Sequence, residues 1–361
     1  MEKMKTEIGI FILNYNGIDW LKKIVPNIIK YSDGVELVII DNQSNDDSLI
    51  WLKNTFPDVQ IRLNDKNYGF AKGYNNILLH EKKYKYFVLL NNDTQVTKNW
   101  LTPLFDLIKN ENVGVVQPKI KNLTLEEKEL KKSDFFDYAG AAGGFIDILG
   151  FPFCRGRILN KIEKDTGQYD NNKQIFWASG CCFIITQELF HQIHGFDEDL
   201  FMHQEEIDLC WRVQRLKKDI IYCAESNIFH FGGGTMKYNN PNKKYYNHRN
   251  SLLILSKNLP IRYLFFVIPV RLLIDYILIL YYILYGVFHY IKNQDLRIMK
   301  YSFSILKAHF NYFLLLPKFI KKRNPEINSI KLVKSQLIYN NSIIWDFFIR
   351  RKKKFSDLKK F

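Results

Sequence analysis

Residues 8–116 alternate between short apolar runs and longer segments with helical spacing. Ile8–Leu13, Leu37–Ile40, Val59–Arg62, Tyr86–Leu90 and Val113–Val116 read as strands. Ile18–Tyr31, Asp46–Asn54, Phe70–His80 and Trp100–Ile108 read as the helices between them. Strands that alternate with helices pair in parallel, so the chain is expected to be α/β with a mainly parallel, doubly wound sheet. Polar clusters follow three of the strands: Asn14-Tyr15-Asn16-Gly17, Asp41-Asn42-Gln43-Ser44 and Asn91-Asn92-Asp93. In an open α/β sheet ligands bind beyond the carboxyl ends of the strands, so all three clusters are expected at one ligand-binding edge.

The remaining chain divides by pattern. Residues 119–173 lack clear periodicity and hold Gly140, Gly143, Gly144, Gly150 and Gly156, which reads as a mobile connection or acceptor loop. Strands are expected near Ile175–Ala178, Cys182–Ile185, Ile220–Cys223 and Ile228–Phe231, and a helix from about Gln204 to Leu216. From Tyr245 onward the pattern is helical and increasingly apolar.

Charge is distributed just as unevenly. Residues 257–361 hold 20 Lys or Arg against 5 Asp or Glu, which is the whole net charge of +15, and residues 1–256 hold 32 of each sign. A neutral body argues against a nucleic-acid-binding domain, and a basic, aromatic-rich tail favours an anionic membrane surface. The expected division is therefore a catalytic domain over 1–256 and a membrane-associating helical region over 257–361. The five cysteines, Cys154, Cys181, Cys182, Cys210 and Cys223, form no C-x-x-C pair and are odd in number. That argues against a zinc site or a disulfide framework and fits a reducing cytoplasm. The first apolar run, Ile8–Leu13, is too short for a signal peptide.

Each polar cluster has a chemical and a plain reading. Asp41 can accept a hydrogen bond from a nucleobase or a ribose, or close an Asx turn while Asp46 or Asp47 caps the next helix. Asn67-Tyr68-Gly69-Phe70-Ala71-Lys72-Gly73-Tyr74-Asn75 sets glycines at a helix start, where a phosphate or a simple cap fits equally. Asp93 suits a hard cation, since Mg2+ or Mn2+ needs only one or two protein carboxylates; an N-cap is the alternative. In His203-Gln204-Glu205-Glu206-Ile207-Asp208, adjacent Glu205 and Glu206 face different ways, so one can serve a cleft as general base while the other caps or orients. Asp208 and Arg212, spaced i, i+4, are expected to pair on the helix surface. His230 precedes Gly232, Gly233, Gly234 and Thr235, and the glycines let a ligand approach. Trp177-Ala178-Ser179-Gly180 reads as an aromatic wall and small floor beside a sugar, or as a packed strand pair.

Taken in order, these motifs resemble the inverting family 2 glycosyltransferases with a GT-A fold, closest to the rhamnosyltransferase-like branch of bacterial surface-polysaccharide synthesis. The resemblance spans about residues 8–255 and rests on seven motifs in order, the last two being Glu205-Glu206-x-Asp208-Leu209-x-x-Arg212 and His230-x-Gly232-Gly233. It implies a Rossmann-like sheet and a nucleoside-diphosphate-sugar cleft lined by Asn14, Asn16, Asp41, Ser44, Asn67, Gly69, Gly73, Asn75 and Asn92. It implies Asp93 and His230 as contacts to a divalent metal or the diphosphate, and Glu206 as the base beside Glu205. Trp177, Ser179 and Gly180 fall where an acceptor or sugar pocket is expected. Two departures stand out: Glu206 replaces the family's Asp, and Asn91-Asn92-Asp93 replaces Asp-x-Asp. The donor expected from the branch is dTDP-rhamnose, with UDP-hexoses and UDP-galactofuranose as alternatives.

The expected acceptor is a glycolipid or polysaccharide, at the cytoplasmic face of the bacterial inner membrane. Leu272–Ile291 is long enough to span a bilayer, since ~20 apolar residues suffice, but Asp275 disfavours spanning. Abundant tyrosines and flanking basic residues favour a helix lying in the interface, and a buried helix of a soluble dimer is the third reading. Arg350-Arg351-Lys352-Lys353-Lys354 would add attraction to anionic lipid or form a frayed, solvated tail. Competing functions are a nucleotidyltransferase, which lacks its usual basic residue near Asn14–Gly17, and a non-catalytic docking protein.

Overall fold

The computed structural model of the chain describes residues 6–32, 34–127, 129–232, 240–324 and 335–358. Its first half follows the expected alternation: β1 (Ile8–Asn14), α1 (Ile18–Tyr31), β2 (Glu36–Asp41), α2 (Ser48–Thr55), β3 (Gln60–Leu63), α3 (Gly69–Leu78), β4 (Tyr86–Leu90), β5 (Thr94–Val96), α4 (Leu101–Ile108) and β6 (Val113–Glu126). The second half adds β7 (Glu129–Phe136), β8 (Gly144–Asp147), β9 (Pro152–Cys154), β10 (Arg157–Ile158), β11 (Lys161–Ile162), β12 (Lys173–Gln174), β13 (Cys182–Thr186), α5 (Gln187–Gln192), α6 (Glu205–Arg215) and β14 (Asp219–His230). Helices α7 (Pro241–Asn258), α8 (Ile261–Asn293) and α9 (Arg297–Lys321) follow, then β15 (Ile338–Tyr339) and α10 (Ile343–Phe348).

The main sheet has ten strands in the order β12-β14-β6-β13-β4-β1-β2-β3, with β5 on β14 and β7 on β6. Strands β4, β1, β2 and β3 are parallel neighbours, and β13 runs antiparallel between β4 and β6. The sheet is buried on both faces, which is why its central strands read as continuous apolar runs. Along β1, Ile8, Ile10 and Ile12 turn to one core cluster and Phe11 to the other. Helix α1 closes the first face with Leu21, Ile24, Val25 and Ile28, spaced as one apolar stripe. Each such side chain, fully buried, contributes about 1.5–3 kcal/mol relative to exposure.

Three expectations are corrected. Residues 119–173 are not a loop: they carry the outer part of β6, the β7 hairpin strand and most of a second, five-stranded sheet ordered β11-β10-β9-β8-β15. Strands of two to four residues are too short to show a period. The two strands expected at Ile220–Cys223 and Ile228–Phe231 are one, β14, interrupted by a register shift between Cys223 and Asn227. Ile175–Ala178 forms no strand; it makes a single bridge, Trp177 to Gly144.

Packing continues across residue 256. Lys257 Nζ reaches Asp197 at 2.7 Å and Asp208 at 2.9 Å, and Ser256 Oγ lies 2.9 Å from Tyr312 Oη of α9. The tail returns to the body: β15 pairs with β8, and Ile343 N donates to Asp147 Oδ2 at 2.8 Å. The basic run after α10 is not frayed, since Arg350 and Lys352 pair with the buried Asp346.

Helix α8 has 33 residues and a window of mean hydropathy 2.2, enough by length and composition to cross a membrane. The charges that interrupt its apolar run turn inward. Asp275 is buried between His248 Nδ1 and His309 Nε2, both 2.9 Å away, and Arg271 donates to Leu149 O and Ser251 Oγ. The opposite face exposes Phe266, Leu273, Ile277, Leu280, Leu284, Phe288 and Ile291, and α9 adds Phe303, Phe310 and Leu314.

Candidate active site

Parallel registry sets the first cluster. Asn14 ends β1 directly beside Asp41 at the end of β2. Asn14 Nδ2 donates to Asp41 Oδ2 at 3.0 Å and to Ser44 Oγ at 3.2 Å, while Ser44 N and Oγ both donate to Asp41 at 2.7 Å. Asn92 Nδ2 completes the chain to Asn14 Oδ1 at 3.4 Å. Asn16, at φ 49°, accepts from Asn45 N at 2.7 Å. Asp41 is thus buried with both oxygens engaged, which is the geometry of an Asx turn rather than of an open acceptor. Asp46 caps, as the plain reading has it, accepting from Ser48 N and Oγ and from Ile18 N.

The Asn67–Asn75 segment is a wall of packed amides. Asn67 Oδ1 accepts from Gly69 N at 2.9 Å, and Asn42 Nδ2 donates to Gly69 O at 3.0 Å. A Cβ on Gly73 would stand 2.9 Å from Asn42 Nδ2, so close packing requires glycine there. Asn75 is buried and grips the following loop, donating to Phe196 O and accepting from Phe196 N, each at 2.9 Å. The start of α3 is already capped: Phe70 N and Ala71 N donate to Phe201 O at 2.9 and 3.2 Å. Of the two readings of this helix start, the geometry is that of the cap.

Asp93 and His230 are brought together by strand pairing. Thr94 of β5 sits opposite His230 of β14, and Phe231 N donates to Asp93 O at 3.0 Å. Because a strand follows Asp93, its alternative role as a helix cap does not arise. His230 Nε2 lies 3.2 Å from Asp93 Oδ1, and its Nδ1 lies 3.0 Å from Asp137 Oδ1. All three side chains are buried. Asp93 Oδ1 and Asp137 Oδ2 have no hydrogen-bond partner. Burial works against charge on the ring, yet its pKa is held well above the usual imidazole range. Burial also pushes the adjacent Cys181 thiol up and keeps it neutral, so the flanking carboxylates are the cause. The sequence reading missed Asp137. Its signal was the Phe135-Phe136-Asp137 pattern, an acid ending an apolar pair before Gly140, which repeats the logic of Asp93. Gly233, Gly234 and Thr235 lie outside the described residues.

Glu205 and Glu206 open α6 and divide as adjacent residues on a helix must. Glu205 is buried, with Oε2 unpartnered, and burial followed by the Glu206 charge raises its carboxyl well above the usual range. Glu206 is partly exposed, and burial pushes it up to about 7. A Cβ on Gly180 would stand 3.8 Å from Glu206 Cβ and 3.4 Å from the Phe70 ring. The next residue, Cys181, accepts from Asn91 N at 2.9 Å. Gly180-Cys181 therefore bridges the first turn of α6 to the end of β4.

Other expected site residues are internal. Trp177 is buried, donates from Nε1 to Phe145 O at 2.9 Å and packs on Gly144, where a Cβ would stand 2.1 Å from the ring; this is the packed arrangement, not a wall beside a cleft. Ser179 is buried, its Oγ donating to Ala139 O at 2.8 Å. Asp208 does pair with Arg212, at 2.9 Å, but inside the protein rather than on the helix surface. Burial opposes its charge, and Lys257 and Arg212 outweigh that and hold it well below the usual carboxylate range.

Comparison with known proteins bears on the family and the fold. The family model "Glycosyl transferase family 2" matches residues 9–194, more than half of the chain. The chain is 23% identical over 235 residues to the low-salt glycan biosynthesis hexosyltransferase Agl10 of Haloferax volcanii, covering 63% of this chain and 68% of that one. It is 23% identical over 232 residues to rhamnosyltransferase WbbL of Escherichia coli K12, covering 62% and 83%. Among solved structures it is similar to GalNAc-T7 with UDP, GalNAc and Mn2+, at TM-score 0.56 and 17% identity, over 72% of this chain and 49% of that one. The chain belongs to glycosyl transferase family 2: it is a rhamnosyltransferase-like glycosyltransferase with a GT-A fold.

Proposed function

We propose that the protein transfers a sugar, with dTDP-rhamnose as the donor, to a hydroxyl of a lipid-linked or polysaccharide acceptor by a single inverting displacement. The observation that carries the reading is the packing of Glu206 on Gly180, next to the bond from Asn91 N to Cys181 O, which supports a partly exposed carboxylate on the side of the sheet where Asp93 and His230 meet. Glu206 takes the acceptor hydroxyl proton as that oxygen bonds to the anomeric carbon. The bond to the diphosphate breaks on the opposite side, the nucleoside diphosphate leaves with the electron pair, and the anomeric configuration inverts. Asn14, Asn16, Ser44, Asn67, Gly69 and Asn92 border the donor cleft, with Asp41, Gly73 and Asn75 fixing their positions from behind.

Among the described residues, no group of three or more His, Cys, Asp or Glu side chains is arranged to hold a metal. Asp93 and His230 fit a divalent ion nonetheless, because Mg2+ or Mn2+ takes few protein ligands and fills its shell with phosphate and water. Asp93 Oδ1 faces His230 Nε2 at 3.2 Å, so an ion would take the place of the proton between them, and Asp137 on His230 Nδ1 supplies the outer carboxylate that orients a ligating imidazole. Such an ion would offset charge on the departing diphosphate. The apolar outer face of α8 and α9 supports attachment to a membrane with the helix lying in the interface, and we place it at the cytoplasmic face of the bacterial inner membrane. A thermal-shift screen of nucleotide-sugars with and without Mn2+ tests the donor: dTDP-rhamnose is expected to raise the melting temperature most, and more with Mn2+. A larger shift with UDP-hexoses would reassign it.

A further inference from the structure

The segment leading into Glu206 holds a conformation that L-residues seldom adopt. Phe201 has φ 65° and ψ −62°, and Met202 N donates to Leu200 O at 2.7 Å, a γ-turn of the strained positive-φ form. His203 and Gln204 follow at φ 67° and 70°. Three non-glycine residues at positive φ within four positions persist only where the surroundings over-determine them, and such strain gathers at functional sites.

Asn250 of α7 is the element that over-determines this turn. Its Nδ2 lies 3.0 Å from Leu200 O, 2.9 Å from Met202 O and 2.7 Å from His203 O. Two amide hydrogens serve three carbonyls, all within six residues of Glu206. Arg249 Nε donates to Asn250 Oδ1 at 2.9 Å, which turns the NH2 end toward those carbonyls, and Arg249 Nη2 adds a 3.0 Å bond to Leu200 O. Both side chains are buried. The Phe201 carbonyl caps α3, and its ring stacks on Tyr246 at 5.6 Å, so α7, α3 and α6 meet at one turn.

We infer that Asn250, oriented by Arg249, is the positioning residue for the base: it holds the γ-turn and thereby presents Glu206 over Gly180. The inference rests on Glu206 being the base. An asparagine that merely stabilised α7 would affect melting; one that positions Glu206 affects turnover and local protection in residues 200–206.

The test compares Asn250→Ala and Arg249→Lys with Ser256→Ala, which removes a buried hydroxyl contact from α7 without touching the turn. Two readouts are used. The first is backbone amide exchange over residues 200–206. The second is turnover of dTDP-L-rhamnose with a polyprenyl-diphosphate-linked sugar as acceptor in detergent micelles. Asn250→Ala should exchange about tenfold faster there and lose about 10²-fold in kcat, as a 1 Å misplacement can, with the donor KM nearly unchanged. Arg249→Lys keeps the amide but loses its orienting bond, and should lose about tenfold in kcat. It decides the case if Asn250→Ala does not fold. Ser256→Ala should change neither readout. Wild-type protection and kcat in both α7 variants would overturn the positioning role while leaving an inactive Glu206→Gln to uphold the base. An active Glu206→Gln would overturn both. Faster exchange with unchanged kcat would likewise overturn the positioning role, leaving Asn250 as a purely structural clamp on the turn.

Discussion

Glu206→Gln separates two consequences of one partly exposed but desolvated carboxylate. Burial moves the carboxyl from 4.5 to about 7. The folded chain therefore binds this proton more tightly than the unfolded chain, and stability is lost as pH rises from about 4.5 to about 7. At about 1.4 kcal/mol per pKa unit, the ionised carboxylate costs the fold roughly 3 kcal/mol at pH 8. Glutamine keeps the shape and cannot ionise. The variant should melt with wild type at pH 4.5 and several degrees above it at pH 8. Its transfer rate should fall by about 10²–10⁴, the usual worth of a general base. Wild-type kcat/KM should fall below about pH 7, since the base must be ionised. Scanning calorimetry at the two pH values and product formation at saturating donor measure both effects. An inactive variant with no added stability at pH 8 would refute the raised carboxyl, and a stabilised but active one would refute the base.

Two further outcomes follow from the geometry. Asp137→Asn removes the carboxylate from His230 Nδ1 and should weaken Mn2+ binding by about 10–100-fold in titration calorimetry with dTDP present; unchanged affinity would leave His230 outside the metal site. Replacing Phe266 and Leu284 on the outer face of α8 with Glu should release the protein from phosphatidylglycerol-containing vesicles without loss of helix signal; undiminished co-sedimentation would refute that face as the lipid contact.

The first half of the fold was legible because β1, β2 and β4 are buried on both faces and α1 carries one apolar stripe, so periodicity and burial agree. The placement of Asn14, Asp41 and Asp93 at one edge follows from parallel pairing alone. The second sheet was not legible, because strands of two to four residues are too short to show a period and its β15 comes from the far end of the chain, and Asp137 was passed over because it lies in the segment read as a loop. Trp177 looked like a pocket wall because composition does not tell a tryptophan facing a cleft from one pressed on a glycine. Asn250 was hidden for another reason: its role is written in the backbone angles of Phe201, His203 and Gln204, which no residue type announces.

The pairing of β15 with β8 bears on how this enzyme can be handled. A shortened protein ending near residue 256, the obvious route to a soluble enzyme, would uncover β8 at Ile146 and Asp147. It would also strip Phe355 from between Phe145, Phe153 and Tyr169, and Ile343 from Asp147. An unpaired apolar strand flank invites aggregation. Keeping the chain from β15 onward, together with α9 packed on α7 through Tyr312 and Ser256, keeps those surfaces covered.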